Sequence, residues 1–164
     1  MFTLDPRIGN TLLDANALDE TGDIAEDSAM REILRLHEQG AILLCLPHSV
    51  KAEMEHANTP AEIRRNAQRF IFTMKVELTD SELALHDAIR AMIQGNAKPG
   101  QHAKDAFHLV ESAKYGRHFI TKDSRLLKKA TEIWGLLRLR VLTPSEFLAA
   151  YRTHAELHPL ANRH

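Results

Sequence analysis

Short apolar runs recur along this chain, separated by stretches whose apolar residues fall at helical spacing, and that alternation leaves few folds open. The runs lie at 11–13, 41–46, within 72–78, at 118–120 and at 139–142. Run 41–46 is continuously apolar, the pattern of a strand covered on both faces. Strands alternating with helices over the whole length predict an α/β fold, a mostly parallel five-stranded sheet with helices on both faces. In such sheets ligands bind beyond the C-terminal ends of the strands. Two runs end there in an acid: Asn10-Thr11-Leu12-Leu13-Asp14-Ala15-Asn16 and His118-Phe119-Ile120-Thr121-Lys122-Asp123.

Helix signals fill the intervals. Asp27 or Ser28 caps a helix through Met30, Ile33, Leu34 and Leu36 that stops at Gly40. Pro47 ends the second strand, and 49–54 is a short helix carrying Glu53, with Glu55 just beyond. Thr59-Pro60-Ala61-Glu62, Thr79-Asp80-Ser81-Glu82 and Thr143-Pro144-Ser145-Glu146 each read as a helix start with a capping hydroxyl and a glutamate three residues on. A helix over 103–115 stops at Gly116, and Asp123 or Ser124 caps another through Leu126, Leu127 and Ala130. These signals divide the chain into an irregular lead-in (1–10), one folded unit (11–150) and a polar tail (151–164).

With 164 residues the chain is long enough for a sizeable core. No apolar run approaches the ~20 residues that span a bilayer. The start Met-Phe-Thr-Leu-Asp-Pro lacks the basic and apolar regions of a signal peptide. The single Cys45 sits inside an apolar run and reads as a buried thiol. Together these favour a cytoplasmic protein. The net charge of -1 hides an uneven distribution: 14–32 is rich in acids and 114–140 in bases. A positive face beside an acidic pocket suits a polyanion held against metal ions, whereas two ordinary solvated faces are the simpler reading of charge alone.

Four acids stand out as a set. Asp14 and Asp123 follow strands, where a turn or cap role is common. Asp105 lies in the first turn of its helix, close to the buried side. Of Glu53 and Glu55 only one can point inward, and periodicity does not choose between them. Carboxylates brought close together repel unless a cation sits among them, and oxygen-only ligands favour Mg²⁺ or Mn²⁺ over zinc.

The segments Leu-Leu-Asp14-Ala-Asn16, Pro47-x-Ser49-Val50-x-x-Glu53, His102-Ala-Lys-Asp105-Ala106 and Ile120-Thr121-x-Asp123 occur in an order and spacing that resembles the PIN-domain ribonucleases, most closely the VapC-like toxins of toxin–antitoxin pairs. The resemblance spans roughly 11–148. It implies strand order 3-2-1-4-5, Glu53 rather than Glu55 as the ligand, and Asn16 and Thr121 as supporting residues. It also implies a metal-dependent endonuclease that cuts RNA to leave a 5′-phosphate, a homodimer, and a possible antitoxin partner. The chain departs from that pattern in its lead-in and its extended tail.

On this reading Asp14, Glu53, Asp105 and Asp123 hold one or two Mg²⁺ or Mn²⁺ ions. Lys122, Arg125, Lys128 and Lys129 follow the last acid, so phosphate contact is their functional reading and a solvated helix face the plain one. His102 and His108 flank Asp105 at a spacing unsuited to zinc. They read as packing or surface residues, His102 with a possible substrate contact. The rivals are a DNA- or structure-specific nuclease with the same acids, a noncatalytic binding domain of the same fold, and a receiver-like phosphotransfer protein. The last would need a lysine after the fifth strand, where Leu142-Thr143-Pro144 has none.

Overall fold

The computed structural model describes residues 4–159. Five strands, β1 (Asn10–Leu13), β2 (Leu43–Leu46), β3 (Ile71–Phe72), β4 (Gly116–Ile120) and β5 (Arg140–Leu142), form one sheet in the order β3-β2-β1-β4-β5. Every neighbouring pair is parallel. The α/β architecture and strand order therefore stand as expected.

Period-two alternation places successive strand residues in different layers. Leu13, Leu44, Leu46, Ile120 and Leu142 face one layer, which includes α1 (Ile24–Glu38), α2 (His48–Met54) and α8 (Pro144–Leu157). Leu12, Cys45, Phe119 and Val141 face the other, which includes α4 (Asp80–Gln94), α5 (Ala103–Tyr115) and α7 (Ala130–Leu137). Each large side chain fully buried in these layers contributes about 1.5–3 kcal/mol of transfer free energy. Cys45 is buried and free, as its apolar surroundings imply. The described residues also form two short α-helices, α3 (Ala61–Ala67) and α6 (Ser124–Lys128), and a short 3-10 helix at Ala15–Leu18. Among the described residues no helix is long and apolar enough to cross a membrane.

Several element ends differ from the sequence expectation, each for a local reason. Helix α1 starts earlier than expected because Asp23, not Asp27 or Ser28, caps it, accepting from the Ala25 and Glu26 amides at 3.1 and 3.3 Å. Thr59 does not serve the α3 start as read; its hydroxyl donates to the Glu53 carbonyl at 2.7 Å. The third strand is only two residues long. Beyond it the Thr73 hydroxyl accepts from His48 N at 2.9 Å, turning the chain across the end of β2.

Gly116 opens β4 with extended backbone instead of serving as a left-handed helix stop. A Cβ there would drive into the Asn10 carbonyl and the Leu12 side chain, so the close approach of β1 and β4 requires glycine. The expected helix after Asp123 is broken at Lys129 into α6 and α7. The capping boxes at Thr79 and Thr143 form as read. Helix α8 continues to Leu157, so the proposed tail boundary at 151 falls inside a helix, and residues 160–164 lie outside the described residues. Within the lead-in, Arg7 pairs with Asp5 and donates to the His158 carbonyl at 2.7 Å, and residues 1–3 lie outside the described residues.

Candidate functional site

Parallel pairing of β1 with β4 makes both strands end on one edge of the sheet, so residues far apart in sequence meet there. Asp14 N donates to the Ile120 carbonyl at 2.9 Å, carrying the ladder one residue past the strand. The Thr121 hydroxyl donates to Asp14 Oδ2 at 2.8 Å, with Asn16 Oδ1 a competing acceptor at 3.1 Å. A hydroxyl has one proton, so the nearer carboxylate has first claim on it. Asn16 Oδ1 also accepts from Lys122 N at 3.0 Å, and Thr121 Oγ1 accepts from Asp123 N at 3.0 Å. Thr121 thus touches Asp14 and the backbone of Asp123, while Asn16 holds the turn between Thr121 and Lys122.

Helix α5 brings Asp105 to the same edge. The guanidinium of Arg125 bridges it to Asp123, with Nη2 3.3 Å from Asp105 Oδ2 and 2.5 Å from Asp123 Oδ2. Nε lies 3.2 Å from Asp123 Oδ1, and Nη1 packs against the His102 ring. Asp123 also caps α6, accepting from Arg125 N at 2.8 Å. His102 Nδ1 is 3.1 Å from Asp105 Oδ2.

The two strand-end acids respond differently to this environment. Burial raises the Asp14 carboxyl above its ordinary range, and nearby Asp105 and Asp123 push the same way; the Thr121 hydrogen bond and His108 act against them. Burial also works upward on Asp123. Hydrogen bonds from the Arg125 side chain and backbone outweigh it and hold that carboxyl low. One acid is therefore held charged by an arginine, while the other, despite Thr121 and His108, is disfavoured in its charged form.

Glu53 approaches from α2. Its Oε1 lies 3.5 Å from Lys104 Nζ and 3.9 Å from His108 Nε2, whereas Glu55 is exposed beside Lys51. Of the two glutamates, Glu53 is the one turned toward α5. His108 stands between the Glu53 and Asp14 carboxylates electrostatically, touching the field of both.

Neither a protein-family model nor a curated protein matches the chain.

Two of the expected substrate contacts are placed otherwise. Lys122 turns inward: its ammonium is 2.7 Å from Asp27 Oδ1 and also donates to the Asp19 carbonyl, with the paired side chains only 9% and 8% exposed. It holds the acidic loop to the end of β4 and offers no free charge to a phosphate. His102 is buried, wedged between Asp105 and Arg125, and presents no open surface to a substrate. Lys128 is exposed on α6, and Arg125 faces the acids.

Sequence reasoning missed three partners. His108 lies three residues after Asp105 and hence on the same helix face, a signal that was available. Glu111, three further on, is buried and accepts from Ser49 N at 3.1 Å and from the Ser49 hydroxyl, joining α5 to α2. Asp27 is 95 positions from Lys122, and no local pattern announces that pair.

The carboxylate oxygens suit a hard divalent cation in kind. Among the described residues, however, no three His, Cys, Asp or Glu side chains gather closely enough to hold one ion. Arg125 between Asp105 and Asp123 supplies a physical reason, because its guanidinium takes the space and the charge that an ion would take.

Proposed function

We propose that this protein is a metal-dependent endoribonuclease of the PIN type, with Asp14, Asp105 and Asp123, assisted by Glu53, as its Mg²⁺- or Mn²⁺-binding acids. The observation that carries the proposal is geometric: Thr121 links Asp14 to the turn that carries Asp123, and Arg125 bridges Asp123 to Asp105, so the three acids lie at one sheet edge. Such a cluster is relieved by a proton on one acid or by a cation among them, and Arg125 supplies part of the positive charge.

Once Arg125 had moved aside, Asp14, Asp105 and Asp123 would be the residues to hold a divalent ion, which would supply an activated water and neutralise charge on the phosphodiester. The chain's own groups do the rest. Thr121 and Asn16 hold Asp14 and the turn after β4 in register. Arg125, seated between Asp105 and Asp123, would have to leave that place for an ion to be held there, and its guanidinium would then be free for the RNA backbone. In the overall reaction water adds to phosphorus, the bond from phosphorus to the 3′ oxygen breaks, and that oxygen leaves as a hydroxyl, giving a 5′-phosphate. The resemblance to VapC-like toxins extends the proposal to a small antitoxin partner and a homodimer.

The same Arg125 favours one rival, a PIN-like fold that binds without cutting, since a permanently seated guanidinium would keep the ion out. Cleavage of mixed RNA and DNA oligonucleotides with Mn²⁺, by wild type and Asp14→Asn and with a chelator control, separates the readings. Metal-dependent loss of RNA in wild type alone is the expected result. Equal activity in both proteins removes Asp14 from the mechanism, and no activity in either leaves the binding domain.

A further inference from the structure

Beside the acids lies a second feature that the cleavage reading does not use. A cleft of about 780 Å³ opens between α2, the loop after it, α4 and α5, within the range of about 300–1,000 Å³ typical of small-ligand sites. Its walls include Ala52, Ala103 and the half-buried ring of Phe107, with His86 packed edge-on to that ring at 6.2 Å between centroids. Glu53 and His108 line it as well, so the cleft and the acidic edge share a wall.

The polar groups around the cleft divide into spent and free. The Ser49 hydroxyl is held by Glu111, and that of Thr59 by the Glu53 carbonyl. His86 Nε2 faces the Ala103 carbonyl at 3.2 Å. His56 Nδ1 accepts from Asn58 N at 3.2 Å, which puts the proton of the neutral ring on Nε2 and makes that atom a donor. Asn58 is exposed, and its amide offers both donors and an acceptor. Lys104 stands at the rim, 80% exposed on its side chain and 3.5 Å from Glu53 Oε1.

We infer that this cleft receives one unpaired nucleobase of the RNA strand, stacked against Phe107 and read at its edge by Asn58 and His56, next to the phosphate held at the acids. The inference rests on the nuclease reading for the identity of the ligand. A flat aromatic wall with a few edge donors and acceptors is the chemistry of base recognition. Lys104 at the rim suits the adjoining phosphate. The chain has few aromatic residues, so it can stack one base but not a long strand.

The test uses the full chain with chelator present, so that binding is measured without cleavage. A short single-stranded oligoribonucleotide is compared with versions carrying one abasic residue at each position in turn. All carry the same phosphates, so the electrostatic contribution cancels. At one position the abasic change should weaken wild-type binding about tenfold, the order of base–aromatic stacking. Phe107→Ala should bind the intact strand about tenfold less tightly and no longer distinguish the abasic one, while Phe107→Trp restores the difference. Asn58→Ala, at an exposed position, should change the preference among the four bases and leave the melting temperature unchanged.

An abasic strand that binds wild type as tightly as the intact one at every position overturns the inference. So does a Phe107→Ala protein that loses the same factor for both. Base-dependent binding without Mn²⁺-dependent cleavage sinks the nuclease reading and leaves the cleft as a base site; cleavage without base dependence does the reverse.

Discussion

Thr121 donates its hydroxyl proton to Asp14 across the β1–β4 pair, joining residues 107 positions apart at 2.8 Å. Asp14 is the acid that burial and two neighbouring carboxylates push toward its neutral form. Replacing it with asparagine keeps an oxygen for Thr121 and removes the repulsion. Asp14→Asn should therefore lower metal-dependent RNA cleavage by about 100-fold or more while its melting temperature stays level or rises. Nuclease assays beside thermal unfolding check both halves. Lost activity together with a fall in stability would show that Asp14 is a structural cap.

Arg125 competes with the proposed ion for Asp105 and Asp123. In Arg125→Gln that competition is gone, so the rise in melting temperature on adding Mn²⁺ should exceed that of wild type, because an ion that binds only the folded state stabilises it in proportion to its affinity. RNA affinity should fall in the same variant if the guanidinium moves to the backbone. An Mn²⁺ shift of equal size in both proteins would remove Arg125 from the site's charge balance.

Lys122 and Asp27 form an inward pair, and the lysine's hydrogen bond is the main reason the Asp27 carboxyl lies down at about 2. Lys122→Met strands the carboxylate beside the Thr21 and Gly22 amides, and should lower the melting temperature clearly. Lys128→Ala, on the exposed face of α6, should stay within about 0.5 kcal/mol of wild type. The double variant Asp27→Asn, Lys122→Met should regain much of the loss. A harmless Lys122→Met would return that residue to the pool of phosphate contacts.

Gly116 lets β4 lie against Asn10 and Leu12. Gly116→Ala forces the two strands that carry Asp14 and Thr121 apart. It should cost about 1–3 kcal/mol or more in stability, and should reduce cleavage beyond what the loss of folded protein explains. Urea unfolding and specific activity per folded molecule measure the two effects separately.

His118, on the sheet face toward α8, is held neutral. Burial, with Arg140 and then His154 nearby, lowers its pKa from 6.5 to about 4, against a Leu4 backbone hydrogen bond and the weaker field of Asp5. Its ring packs edge-on to Phe147 at 5.8 Å. Above pH 6.5 both folded and unfolded forms are neutral and the group has no effect. As pH falls from 6.5 toward 4 the unfolded chain takes up a proton that the folded one refuses. Stability should drop across that window by at most about 3 kcal/mol and then level off. His118→Leu should flatten that part of the profile; an unchanged profile would show that other groups dominate it.

Much of the fold is legible locally, because strands and helices write their periods and caps into adjacent residues. The sheet runs, the capping boxes at Thr79 and Thr143, and the extent of α5 all follow from patterns spanning a few positions. The strand-end acids Asp14 and Asp123 are legible for the same reason, and so is the three-residue spacing that puts Asp105 and His108 on one face of α5. The early start of α1 and the place of β3 at Ile71–Phe72 were not, since Asp23 caps α1, Asp27 is claimed by Lys122, and Thr73 is claimed by His48.

What the amino-acid order by itself determined is which groups arrive at the C-terminal edge of the sheet, for that depends on short-range periodicity. Only the tertiary structure decided how each is used. Glu53 turns toward α5 while Glu55 turns away, Lys122 is spent on Asp27, and Arg125 lies between Asp105 and Asp123. Those outcomes follow from which opposite charge comes within reach once separate segments pack, and Coulomb attraction in a partly desolvated site depends on distance in space, with no trace in distance along the chain.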